Sequence, residues 1–366
     1  MLIFKGVKQR RVTMADVAAK LGISGVAVSL GLRDHHRISP ERRREIKRVA
    51  REMGFVPDPF LSALAAHSRQ RTPAKEHGVL AWINHWQEPQ RLRQYREFDL
   101  CWRGASKAAA DLGYRLDEVR WEWDTSPKRL EKILLARGIE GVLIPPHRAL
   151  FDWEDFDWNK FSVVRFGLSV PKPDSNLVTS DGFRATLMAI NKMHEYGYRR
   201  IGLVVNEEFN ERIGGQLYSG LVCAQGTLGM RPAIPPLLTF LNTRTPDELS
   251  RQRECLHLWL KHHQPDALLT ADIEVPELLR ELGYRIPQDI AVAGTTVVDI
   301  PGVDAGIDQH GETIGRTAVE TLLKQMNINE HGEPRHPCRI LVESRWKDGA
   351  SLPPKQKMTA SLCASL

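Results

Sequence analysis

No run of eighteen apolar residues occurs in this 366-residue chain, so no segment is long and greasy enough to cross a bilayer as a helix, and no membrane partner is expected. Cysteine is sparse. Cys101, Cys223, Cys255, Cys338 and Cys363 are odd in number and include no Cys-x-x-Cys pair, which excludes a disulfide framework and a zinc site and suits the reduced thiols of a cytoplasmic protein. The opening MLIFKGVKQRR is basic but has neither an apolar stretch nor a small-residue cleavage site, so it does not read as a secretory leader. Catalytic signatures are missing too. Gly22-Ile23-Ser24-Gly25 lacks the spacing of a nucleophile elbow, His194-Glu195 is not followed by a second His at the metalloprotease interval, and no glycine-rich phosphate loop occurs. His35-His36 and His262-His263 are pairs without a third ligand. Neither an enzyme nor a cofactor or metal is expected.

Charge, in contrast, is unevenly placed. The chain carries 51 Lys and Arg against 45 Asp and Glu, and 15 of the former against 6 of the latter lie at or before Thr72, leaving 36 against 39 for the remainder. A localised net of +9 on the first 72 residues points to a polyanion partner for them, since Lys and Arg beside phosphates gain affinity by releasing counterions. Most of the run Arg42, Arg43, Arg44, Lys47 and Arg48 reads as a solvated helix face.

Within this basic region, Thr13 to Arg33 predicts two short helices around a Gly-Ile turn. Thr13 suits an N-cap, Asp16 favours the positive end of the helix dipole, and Val17, Ala18 and Leu21 form an apolar stripe that Gly22 ends. Ser24 offers a second cap, with Val28 and Leu32 facing inward. A third helix follows Ser39-Pro40-Glu41, with Ile46, Val49, Ala50 and Met53 inward. Three such helices make a helix-turn-helix unit, which places one helix in the DNA major groove. After Phe55-Val56-Pro57, Asp58-Pro59 begins a short apolar run, Phe60 to Ala66, that is too short to be stable alone and needs a partner to bury it.

These residues resemble the head and hinge helix of LacI/GalR-family transcriptional regulators, and the resemblance covers nearly the whole chain. It implies double-stranded DNA as partner. Leu64, with Ala63 beside it, falls on the position that wedges into the minor groove, a device that unstacks a base step and bends the duplex. Thr13, Ser24 and Ser29 match positions that bond phosphates, which fix register. Gly25, Val26 and Leu30 match positions that touch base edges; Val26 and Leu30 offer thymine methyl contacts and no bidentate pairing. Where the family usually has Thr and Asn this chain has Ala27 and Arg33, so direct readout is expected to be weak, with specificity carried more by bending and by Arg33 or Arg37 near the groove edge.

Beyond the head, strand and helix alternate. Strand-like runs at Gly78–Ile83, Gly141–Pro145, Phe161–Phe166, Ile201–Val205, Ala267–Thr270 and Ile290–Ala293 are interleaved with helical stretches, which predicts α/β architecture with parallel sheets flanked by helices. The resemblance makes this a two-lobed, periplasmic-binding-protein-like body with a ligand cleft at the strands' carboxyl ends. The expected division is a helix-turn-helix head over 1–57, hinge helix and linker over 58–72, a first lobe from 76–193 plus 310–338, a second from 194–309 plus 339–350, and a disordered tail over 351–366. No leucine heptad follows Trp346, so the tetramer-forming tail of some relatives is not expected.

Family positions for a ligand in the cleft fall on Phe98, Asp181, Arg212, Asp272 and Gln309, the last with a structural role as the alternative. Carboxylates, a guanidinium and an aromatic face are what a polyhydroxylated ligand needs. The run WINHW adds Trp86 and His85 as contacts, with Trp82 assigned to the core. One departure stands out: where the family commonly has acids after the strand ending at Ala293, this chain reads Gly294-Thr295-Thr296-Val297. The expected protein is a homodimeric, DNA-binding repressor of a pseudo-palindromic operator, controlled by a sugar or derivative. The rivals are a ligand-promoted binder or activator, a regulator without ligand, and a sugar-binding protein with no DNA role.

Overall fold

The computed structural model describes residues 14–32, 37–53, 55, 77–122, 124–147, 153–239 and 245–355. Helices α1 (Met14–Leu21), α2 (Gly25–Leu32) and α3 (Pro40–Glu52) pack their inward stripes together. Val17, Ala18, Val28, Ile46, Val49 and Ala50 form a small core ringed by Leu21, Ile23, Leu32 and Phe55. Ser24 Oγ accepts from the Ala27 N–H at 3.1 Å and caps α2, and Ser39 Oγ accepts from the Arg42 N–H at 3.3 Å at the start of α3.

The body contains twelve strands among the described residues: β1 (Gly78–Asn84), β2 (Tyr114–Arg120), β3 (Gly141–Ile144), β4 (Ser162–Phe166), β5 (Asn176–Ser180), β6 (Ile201–Asn206), β7 (Leu237–Thr239), β8 (Ala267–Thr270), β9 (Ala291–Gly294), β10 (Gly306–Asp308), β11 (Arg339–Val342) and β12 (Arg345–Lys347). They form two six-stranded sheets in the orders β11-β5-β4-β3-β1-β2 and β12-β10-β9-β8-β6-β7. Every pairing is parallel except β10 with β12. The central strands β3, β4, β8 and β9 are buried along their whole length, as strands covered on both faces must be.

The covering helices are α4 (Arg91–Gln94), α5 (Arg96–Asp111), α6 (Pro127–Ala136), α7 (Gly182–Glu195), α8 (Glu207–Arg212), α9 (Gln216–Thr227), α10 (Pro246–His263), α11 (Val275–Glu281) and α12 (Gly311–Asn327). Two differences from the expected division follow from which core each element enters. Helix α7 packs Ala185, Ala189, Ile190 and Met193 against Ile201 and Leu203, so the chain enters the second lobe directly after β5 and not at residue 194. Strand β11 pairs with β5 on the edge of the first sheet, although 339–350 was assigned to the second lobe; only β12 belongs there. The chain therefore crosses between lobes three times, after β5, after β10 and between β11 and β12. Residues 351–355, expected in a disordered tail, belong to the folded body. Leu352 is fully buried in the second core, and Ser351 Oγ accepts from the Ala305 N–H at 3.1 Å. Residues 356–366 lie outside the described residues.

The first lobe depends on a close crossing of α5 and α12. A Cβ added to Gly104 would run into the Glu312 carbonyl, and one on Gly315 into the Cys101 carbonyl. Because the obstacle is backbone on both sides, neither helix can yield by changing a rotamer. Gly315→Val is expected to cost about 1–3 kcal/mol or more by overpacking, read as a melting temperature lowered by several degrees in a thermal scan; an unchanged melting temperature would mean that the helices are not locked at this crossing.

Candidate functional site

The carboxyl ends of both sheets open on a cavity of about 540 Å³ between the lobes. Its first-lobe wall is aromatic. Trp86, in the loop after β1, donates from Nε1 to the Pro146 carbonyl at 3.1 Å, and its ring lies 5.7 Å from Tyr95, which lies 5.5 Å from Phe98 on the first turn of α5. All three rings line the cavity. Tyr95 was not among the expected residues. Trp82 is buried core, as read from the sequence.

His85 is buried away from the cavity lining, stacked on Trp121 with centroids 4.2 Å apart. His147 does line the cavity. Its Nε2 accepts from the His85 N–H at 3.0 Å and its Nδ1 lies 2.7 Å from the Pro145 carbonyl, so the proton sits on Nδ1 and the ring is neutral. Burial holds its pKa down at about 3.

Of the residues expected in the cleft, Trp86, Phe98, Arg212, Asp272 and Gln309 line the cavity and Asp181 does not. Asp181 precedes α7 and its Oδ1 accepts from the Arg184 N–H at 3.0 Å; the Ser-Asp-Gly turn places the carboxylate where a helix start needs an acceptor. Arg212, on α8, pairs with Glu208 at 3.5 Å. Asp272 is held by the protein itself, with Oδ2 accepting from Gln252 Nε2 at 3.0 Å and Thr239 Oγ1 at 3.3 Å, and Oδ1 from the Glu274 N–H at 3.1 Å. Gln309 spans the lobes. Its Oε1 accepts from Ser180 Oγ at 2.9 Å, and its Nε2 donates to Thr296 Oγ1 at 2.6 Å and to the Thr295 carbonyl at 3.1 Å. The two threonines that stand in place of acids thus hold the crossover strand.

Sequence reasoning missed Glu97. It is only 5% exposed, lines the cavity, and neither carboxyl oxygen has a hydrogen-bond partner among the described residues. Burial, with the Asp299 and Asp308 carboxylates close by, pushes its pKa up to about 8. Asp299 comes from the second lobe, in the turn after β9, and its Oδ1 accepts from the Glu97 N–H at 3.3 Å, capping α5 across the cleft. Burial raises its pKa as well. The missed signal lies in the helix period: Glu97, Cys101, Gly104, Ala105 and Ala108 form one buried stripe of α5, with a carboxylate at its first position.

In the head, Ser24 and Gly25 are exposed at the start of α2, Leu30 is half-buried further along it, and Val26 and Ser29 belong to the same helix. Thr13, Arg33 and Leu64 lie outside the described residues.

Residues 190–352 match the periplasmic binding protein-like domain. Over 345 residues the chain is 24% identical to the HTH-type transcriptional repressor CytR of Escherichia coli (strain K12), an alignment that covers 90% of this chain and 95% of that one, head and body together. Head and body together, the chain is thus similar to a repressor of the helix-turn-helix type. Among solved structures, the chain is similar to the transcriptional regulator CelR in complex with cellobiose, with TM-score 0.57 and 21% identity over 93% of this chain and 100% of that one. It is also similar to the lac repressor dimer bound to operator and the anti-inducer ONPF, with TM-score 0.53 and 16% identity over 94% and 100% of the two chains. Both share the two-lobed fold. No helix among the described residues is long and apolar enough to cross a membrane.

The Glu97 environment gives stability a pH dependence of definite sign. An unfolded Glu loses its proton near 4.5, whereas the folded chain keeps this one until about 8, so stability is full below 4.5 and falls as pH rises toward 8. Glu97→Gln removes that loss. The variant is expected to melt at least about 4 °C above the parent at pH 8.5 and to converge on it near pH 5 in paired thermal scans; an offset that stays constant across this range would refute the assignment.

Proposed function

We propose that this protein is a DNA-binding transcriptional repressor whose operator affinity is set by a small molecule, a sugar or derivative, held between the two lobes. The observation that carries this reading is the joining, in one chain, of a basic three-helix head to a two-lobed body with a cavity at the strand ends, aligned as a unit with a repressor. Supporting the ligand class are the aromatic wall of Trp86, Tyr95 and Phe98 and the guanidinium of Arg212 in the same cavity, together with the cellobiose carried by one structural neighbour. Catalysis has no support from the residues of the cleft: the neutral His147 is bonded to backbone on both nitrogens and Asp272 is occupied by protein donors.

On this reading two chains form a dimer, each head taking half of a pseudo-palindromic operator. Ser24, Ser29 and Thr13 bond phosphates, Gly25, Val26 and Leu30 approach base edges, Arg33 reaches the groove edge, and Leu64 wedges the minor groove. A ligand that favours one lobe arrangement shifts DNA affinity, and DNA shifts ligand affinity by the same factor. A second reading, a regulator that works without ligand, has one observation in its favour: Thr295 and Thr296, in place of the family's acids, are bonded to Gln309.

The test begins with selection of bound sequences from a random duplex library by the purified full chain, for which an approximate inverted repeat is expected. Leu64→Ala should weaken binding to the selected duplex about 10-fold or more, while affinity for unrelated duplex and the melting temperature of the body stay unchanged. Equal weakening on both duplexes would remove the wedge role, and failure to enrich any sequence would remove the regulator reading itself.

A further inference from the structure

The ionisable groups lining the cavity are strongly unbalanced toward acids. Glu97, Glu208, Asp272, Glu274 and Asp299 stand against one guanidinium, Arg212, which already pairs with Glu208. Asp272 is occupied by Gln252, Thr239 and the Glu274 N–H, so its charge is met by protein donors. The group left without a donor is Glu97, whereas Asp299 accepts from the backbone N–H groups of Glu97 and Arg96 and has the Arg96 guanidinium acting on it. Glu97 is more than nine-tenths buried with both oxygens unpartnered among the described residues, and the carboxylates of Asp299 and Asp308 act on it. A buried carboxyl without a donor is costly and is not there for packing: the next residues of its stripe are Cys101, Gly104 and Ala105, and an apolar side chain would fill the same volume at lower cost.

Beside this acid pair stand the rings of Trp86, Tyr95 and Phe98. Carboxylates at one end and aromatic faces along the side form the environment in which an ammonium group is bound best, by charge from the acids and by the ring quadrupoles. An anionic ligand, such as a sugar phosphate or a uronic acid, would bring a negative charge against Asp299 and a carboxyl that burial already keeps from ionising.

We infer that the effector of this protein carries a protonated amino group, as an amino sugar does, and that this group is seated against Glu97 and Asp299 beside the aromatic wall. The inference rests on the reading of the cleft as an effector site and narrows its ligand class. Because Glu97 belongs to the first lobe and Asp299 to the second, one ammonium meeting both bridges the lobes and favours their closed arrangement.

The test compares matched sugars on the unaltered full chain by calorimetry: glucosamine, galactosamine and mannosamine; their neutral parents; and glucuronate with glucose 6-phosphate. The amino sugars are expected to bind at least about tenfold more tightly than their parents, and the acids more weakly than either. In Glu97→Gln the ratio of amino to neutral sugar should fall to near one while neutral sugars still bind. If neutral sugars bind as tightly as the amino sugars, or if the ratio survives Glu97→Gln, this inference fails while the sugar-effector reading stands. If no sugar of any charge binds, both fail. The comparison among ligands on the unaltered protein decides the outcome even where the variant does not fold.

Discussion

Two lobes built on separate sheets are held in one arrangement by hydrogen bonds that run across the gap between them. Asp299 of the second lobe accepts from the first-turn N–H of α5 in the first, and Gln309, just after β10 where the chain crosses between lobes, bonds Ser180 on one side and Thr295 and Thr296 on the other. Each lobe has its own apolar cores, and each core keeps to its own sheet. The relative placement of the lobes thus depends on a few polar contacts at the cleft and on three chain crossings. That is the condition for a cleft that answers to a ligand: strong cores set the shape of the walls, while contacts of a few kcal/mol set the gap between them.

Much of this was legible in the residues. The buried parallel strands are written as short apolar runs, and β1, β3, β4, β6, β8 and β9 follow from them directly. Of the six strands that escaped notice, two show why most clearly. Tyr114–Arg120 alternates Tyr, Leu and Val with charged residues because β2 lies at a sheet edge, and β11, Arg339–Val342, is half exposed for the same reason. Helix α12 has an inward stripe, Ile314, Ala318, Val319 and Leu322, and its Gly311 and Gly315 allow the close approach to α5. The lobe boundaries were misplaced because a crossing is a tertiary event: nothing local in Ser180-Asp181-Gly182 distinguishes a helix that returns to its own sheet from one that joins the next.

The cleft shows the same division. Trp86, Phe98, Arg212, Asp272 and Gln309 share a cavity because the loops and helix ends that carry them converge at the carboxyl ends of the two sheets. Asp181 had the right chemistry in the wrong place, since an acid just before a helix answers first to the helix. Glu97 was hidden by the usual assumption that a charged residue in a helix's first turn is solvated. Its neighbours at i+4, i+8 and i+11, Cys101, Ala105 and Ala108, contradict that assumption and place it on the buried face.

The acid pair and the cross-cleft cap are one piece of chemistry. The carboxylate of Asp299 is held near Glu97 because it caps α5, so the contact that closes the lobes is also what brings two acids together in low dielectric. The helix start favours a negative charge at Asp299, and that charge in turn disfavours a second one at Glu97. An empty closed cleft therefore retains an electrostatic penalty that an open one relieves by letting water reach both groups. A cation between the acids reverses the balance. In a regulator of the kind proposed, only a ligand that interacts differently with the two arrangements can shift the equilibrium between them, and the charge it carries into this cleft is a direct source of that difference.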